Sequence, residues 1–157
     1  MTKKLPSSIS EVSLNHITTY QSGVVQSAAF RMLKKITDKH LKPHGLTTMQ
    51  WFVVGMIYDA GKDGIRITDL AAKVDTTLSF LTHTINLLEA KGIVDRVIDT
   101  ADSRAKMVIV SEAYRPKCKE IEADLRHKLR NTLYGDITPE ELQVYITVLY
   151  KFASLKA

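Results

Sequence analysis

The feature that most constrains this chain is a helix that stops and turns straight into a hairpin. A segment opened by Asp75, Thr76 and Thr77 carries Leu81, Ile85 and Leu88 at i, i+4 and i+7, the spacing of one buried helical face. Gly92, just after Lys91, ends it, because glycine accepts the left-handed conformation that closes a helix. Two runs rich in β-branched residues follow, IVDRVI and KMVIV, on either side of the polar stretch Asp99 to Ala105. Alternating runs around a polar loop read as a β-hairpin.

The rest of the pattern is helical. A stripe through Leu14, Ile17, Tyr20, Val24, Ala28 and Met32 predicts a long first helix, with Ser13 as its cap. It runs to about Leu41, where Pro43 and Gly45 end it. Thr47 caps the next helix, and Met49 to Tyr58 is apolar nearly all round, which predicts a buried central helix stopped by Gly61. Ile65 and Ile67 alternate with polar residues and read as a very short strand. Thr68 is the expected cap of a short helix, Asp69 to Val74. After the hairpin, Tyr114 to Leu133 carries Cys118, Ile121, Leu125 and Leu129. Thr138, Pro139 and Glu141 then form a capping box with proline at the first helical position, ahead of Leu142, Tyr145, Ile146, Leu149 and Phe152.

The predicted fold class is mainly α with a small β-hairpin wing: a winged helix-turn-helix domain with dimerisation helices at both chain ends. The expected segments are an N-terminal arm and first dimerisation helix over 1–45, a DNA-binding region over 46–112, and C-terminal dimerisation helices over 113–157. The long terminal helices have no evident partner within a core of about 80 residues, and a second copy of the chain would supply one.

Composition narrows the setting. No stretch approaches the roughly 18 apolar residues of a membrane span, and the start of the chain lacks the apolar core of a signal peptide. A single cysteine, Cys118, excludes an internal disulfide and fits a reducing cytoplasm. The net charge of +5 suggests an anionic partner, but its placement matters more. Residues 61–110 hold seven Lys/Arg and seven Asp/Glu, so any DNA contact there depends on where individual charges stand.

Several motifs stand in the order of one family. LTTMQWFVV, ITDLAAKV, TTLSFLTHTINLLEAKGIVDR and DTADSRAKMVIVSEAY together cover the centre of the chain, and Asp102-Ser103-Arg104 falls inside the hairpin, after the Leu-Glu-x-Lys-Gly helix end. With the flanking helices, this resembles the MarR (multiple antibiotic resistance regulator) family. There are departures. Thr77-Leu78 stands where the family usually has Ser-Pro, Phe80 where it has threonine, His83 where it has arginine, and Ser111-Glu112-Ala113-Tyr114 closes the wing. The resemblance implies a transcription regulator, by default a repressor, bound as a homodimer to an inverted repeat in double-stranded DNA and released by a small effector.

The residues expected at the DNA follow from chemistry. Opposite Leu81, Ile85 and Leu88 the predicted recognition helix shows Thr77, Ser79, Phe80, Thr82, His83 and Asn86. Asparagine can bond bidentately to adenine, Ser and Thr can reach base edges or phosphates, and Phe80 can touch a thymine methyl group. In the wing, Arg96, Arg104 and Lys106 supply positive charge. Arg104 resembles the family residue that enters the minor groove, oriented by Asp102. An ordinary solvated helix face and a surface ion pair are the plain readings of the same residues.

Weaker features stay open. Tyr20 and Trp51 lie in segments that line the effector pocket in the family, which implies a small phenolic or otherwise partly apolar ligand, though core packing accounts for them equally. Cys118 lies on an apolar stripe, as a structural thiol would, and Lys117 and Lys119 are what would favour reactivity. His40 and His44 are separated by Pro43, which disrupts the geometry of a metal pair. No nucleophile elbow, metal-ligand spacing or glycine-rich phosphate loop is present, so neither enzyme activity nor a cofactor is expected. The competing reading is a winged-helix protein-interaction module without an operator, which would have no need of Arg104.

Overall fold

The computed structural model describes residues 16–99 and 106–155. Among them the order is α1 (Thr19–Leu41), a 3-10 turn (Lys42–His44), α2 (Thr48–Asp59), β1 (Ile65–Arg66), α3 (Ile67–Lys73), α4 (Leu78–Ala90), β2 (Val94–Ile98), β3 (Lys106–Val110), α5 (Arg115–Thr132) and α6 (Pro139–Ala153). This is the mainly α winged-helix architecture expected from the sequence. The sheet is antiparallel in the order β1-β3-β2, so the second strand of the hairpin is its centre.

The chain divides into two compact units, residues 1–35 and 36–157, with the division inside α1. In the first unit, α1 begins at Thr19, later than the stripe from Leu14 predicts. A capping box explains the start. Thr18 Oγ1 accepts the Gln21 backbone N–H at 3.3 Å, and Gln21 Oε1 accepts the Thr18 N–H at 3.0 Å. The expected cap, Ser13, and Leu14 lie outside the described residues. Tyr20, Val24, Val25, Phe30 and Met32 of this unit are all exposed.

In the second unit the core is continuous from Leu41 through Val53, Val54 and Ile57 of α2, Leu70 of α3, Leu81, Ile85 and Leu88 of α4, and Val94, Val108 and Val110 of the hairpin to Ile121 of α5. Each of these side chains, fully shielded from water, contributes roughly 1.5–3 kcal/mol. The last residues of α1 join this unit through Asp38, whose Oδ1 accepts both the backbone N–H (2.8 Å) and the hydroxyl (2.6 Å) of Thr48. His44 Nε2 meets Asp124 Oδ2 at 3.3 Å, tying the 3-10 turn to α5.

Two expectations are corrected. α2 is not buried all round: Val53, Val54 and Ile57 face the core, while Phe52 and Met56 are exposed. A helix meets one layer with one stripe, and the apolar composition of this one exceeds what that layer covers. Nor does Thr68 cap α3. The helix starts at Ile67 behind an extended Arg66 that makes no side-chain cap bond, which puts Thr68 inside the first turn. β1 abuts the helix and supplies the extended residue that a cap requires.

The caps at Thr47 and Thr138 form as expected, each with a complete capping box. α6 buries none of its residues, and Val144, Tyr150 and Phe152 are more than half exposed.

Candidate nucleic-acid interface

The helix-turn-helix is α3 and α4. Between them Asp75 takes φ 50°, a left-handed conformation that a short polar side chain tolerates better than most. Thr77 then caps α4, its hydroxyl accepting the Phe80 N–H at 3.2 Å. Leu81, Thr84, Ile85 and Leu88 bury one face. Thr84 is satisfied there by donating its hydroxyl to the Phe80 carbonyl at 3.0 Å. On the other side Ser79, Phe80, His83 and Asn86 are exposed, and Thr82 is half-buried with its hydroxyl donated to the Leu78 carbonyl at 2.8 Å. One helix therefore presents Ser79, Phe80, His83 and Asn86 together. Leu78 and Leu87, not anticipated as surface residues, are also exposed.

The hairpin is fastened to this helix and to β1. Arg96 of β2 places Nη2 2.6 Å from Asn86 Oδ1, and its Nη1 is bonded to Glu89 Oε2. Arg66 of β1 places Nη2 2.9 Å from Asp99 Oδ2. Ser111, buried behind β3, donates its hydroxyl to the Gly92 carbonyl at 2.6 Å and closes the base of the hairpin. Lys91 donates to the Gly45 carbonyl at 2.7 Å, holding the end of α4 to the loop before α2. The sequence reading gave no part in the site to Arg66, or to Glu89 and Ser111, which it named only within motifs. Arg66 and Asp99 are 33 residues apart, and only the strand order brings them together.

The remaining predicted site residues are dispersed. Lys106 is exposed at the start of β3, paired across the ladder with Ile98. Asp102 and Arg104 lie outside the described residues. Trp51 is half-buried against the core of the second unit, while Tyr20 belongs to the first unit and is 70% exposed. Cys118 is buried on α5, and desolvation pushes its thiol up to about 11 although Arg115 opposes the shift. Such a thiol stays neutral near pH 7, which is the behaviour of a structural cysteine.

The model of the MarR family matches residues 44–105, the stretch from the end of the 3-10 turn through α4 to the hairpin. Over this stretch, about two fifths of the chain, the sequence is similar to the MarR family. Solved structures of the same fold extend the likeness over most of the chain. AbsC, a MarR family transcriptional regulator from Streptomyces coelicolor, is 22% identical with a TM-score of 0.75, covering 87% of this chain and 94% of its own. A mutant MarR from E. coli complexed with operator DNA is 20% identical at 0.75, covering 87% and 99%. CouR from Rhodococcus jostii, bound to p-coumaroyl-CoA, is 20% identical at 0.77, covering 90% and 98%. In the winged helix described here, α4 is the second helix of the helix-turn-helix and β2–β3 form the wing.

Proposed function

We propose that this chain is a sequence-specific DNA-binding transcription regulator that works as a homodimer on an inverted-repeat operator, represses by occupying a promoter, and is released by a small effector. The observation that carries the reading is the set of Ser79, Phe80, His83 and Asn86 exposed on one side of a capped helix beside a fastened hairpin. Short polar side chains on a protruding helix suit the major groove, where base edges differ from pair to pair. Thr77 and Thr82 are better placed to hold the helix end and its backbone, with phosphate the contact open to the cap. Arg104 and Asp102 are assigned to the minor groove beside the wing from the sequence pattern, and Lys106 to the backbone nearby.

Related structures support the reading. The mutant MarR is complexed with operator DNA, and Sco3205 from Streptomyces coelicolor is in complex with DNA. CouR is bound to p-coumaroyl-CoA, and the DNA binding of BpsR from Bordetella bronchiseptica is regulated by 6-hydroxynicotinic acid. Both ligands carry an aromatic group, which supports a partly apolar aromatic effector, with Trp51, half-buried in the second unit, as a candidate contact. The exposed apolar residues of α1 and α6 suit a dimer interface. Such a regulator acts on the chromosome and so in the cytoplasm.

Selection of bound sequences from random duplexes tests the reading. The expected product is an inverted repeat whose half-site centres lie about one helical turn, roughly 34 Å, apart. Arg104→Ala is expected to lower the salt dependence of binding by about one unit per half-site, because one cationic contact is lost. Unchanged binding by Arg104→Ala at every salt concentration would instead favour the protein-interaction module.

A further inference from the structure

Asn86 is the most informative residue on the exposed face of α4, because a second residue decides which way its amide faces. Its Oδ1 lies 2.6 Å from Arg96 Nη2. A guanidinium carries only donors, so the atom of the carboxamide that meets it has to be the oxygen. The bond is charge-assisted and thus stronger than a neutral one. The same guanidinium is held on its other arm by Glu89, one helical turn beyond Asn86. Three side chains therefore interlock, and Arg96, only 21% exposed, is drawn down onto the helix surface. What Asn86 has left to offer is its NH2, which no described residue accepts.

This changes what the residue can read. Bidentate pairing with adenine uses both ends of an asparagine amide, the oxygen accepting from N6 and the NH2 donating to N7. With the oxygen engaged by Arg96, that pairing would have to break a charge-assisted bond. Adenine N7 also accepts, but the adjacent adenine N6–H2 would then face a group with no free acceptor, whereas guanine O6 and N7 and thymine O4 present acceptors alone. We propose that Asn86 reads the major groove as a hydrogen-bond donor alone, selecting guanine or thymine over adenine at one position of each half-site, and that Arg96 is the positioning residue that imposes this choice. The inference rests on the DNA-binding reading above and adds the class of base to it.

The test is selection from random duplexes by the full-length protein and its Asn86→Ala, Asn86→Asp and Arg96→Met variants, with thermal melting to confirm that each folds. The parent is expected to enrich guanine or thymine at one half-site position, and the winning base tells the two acceptors apart. Asn86→Ala should lose that preference, and about tenfold in affinity, at that position alone. Asn86→Asp keeps an oxygen for Arg96 but has no donor, so it should abandon guanine and thymine as well. Arg96→Met frees the amide oxygen and should move the preference towards adenine, a change that mere loosening of the hairpin would not produce. Should Arg96→Met fail to fold, the two Asn86 variants, altered on an exposed helix face, still decide the matter. Adenine at the Asn86-dependent position in the parent overturns the inference, as does an Asn86→Ala variant with unchanged preferences, and both leave DNA binding intact. Recovery of no sequence by the parent overturns the DNA-binding reading itself, and this inference falls with it.

Discussion

Arg66 and Asp99 meet across the sheet: Nη2 and Oδ2 are 2.9 Å apart although Arg66 lies on β1, Asp99 directly follows β2, and β3 separates those two strands. Asp99 is largely shielded and Arg66 about half exposed. The pair anchors the far end of the hairpin to the strand that leads into the helix-turn-helix. Arg66→Ala should therefore cost only about 1 kcal/mol or less in urea unfolding, as partly exposed pairs do. Its larger effect should be faster amide exchange in β2, with weaker DNA binding. Unaltered exchange in Val97 and Ile98 would show that the pair does not hold the wing.

Gly64 sits under β3 with φ 74°, and a Cβ there would stand 2.6 Å from the Val108 carbonyl oxygen and 2.7 Å from Ile109 Cγ2. Backbone strain and a clash with a central strand combine. Gly64→Ala should destabilise by about 1–3 kcal/mol in equilibrium unfolding. A variant as stable as the parent would mean that β1 need not approach β3 so closely.

Burial holds the Cys118 thiol up at about 11, against an ordinary value near 9. The folded state thus favours the protonated form. The sign follows: this contribution to stability is complete below about pH 9 and is lost as pH rises through about 11. Cys118→Ala should flatten the alkaline limb of a stability profile. At pH 8 a disulfide reagent should modify Cys118 slowly in the native protein and quickly in denaturant. Rapid native modification would instead mark a reactive thiol.

α6 leaves Val144, Tyr150 and Phe152 at 63%, 72% and 57% exposure. If a second copy covers them, sedimentation at micromolar concentration should show one species near twice 17.6 kDa. Tyr150→Glu combined with Phe152→Glu should weaken that species, since charge would enter an apolar interface. A parent chain that is monomeric and well folded would contradict the dimer.

The legible parts of this chain were those governed by local rules. The Thr47 and Thr138 capping boxes, the stop at Gly92, the stripe of Leu81, Ile85 and Leu88, and the hairpin are each written in a few adjacent residues. Local rules also misled where two candidates competed. Thr68 looked like a cap, but β1 ran directly into α3 and Arg66 took that place. α2 looked buried on every side, yet composition cannot say how many layers a helix will meet.

By itself the sequence determined the winged-helix order and which residues α4 could expose, because periodicity and capping act over one or two helical turns. Only the tertiary structure decided what those residues are free to do. Asn86 was legible as an exposed polar residue of α4, but the direction of its amide is set by Arg96, ten residues on and in another element. Arg96 was legible as positive charge, but Glu89 and Asn86 engage it before DNA could. The reason is physical: a hydrogen-bonding group has a limited set of directions, and which partner takes each is fixed by the folding of separate elements against one another.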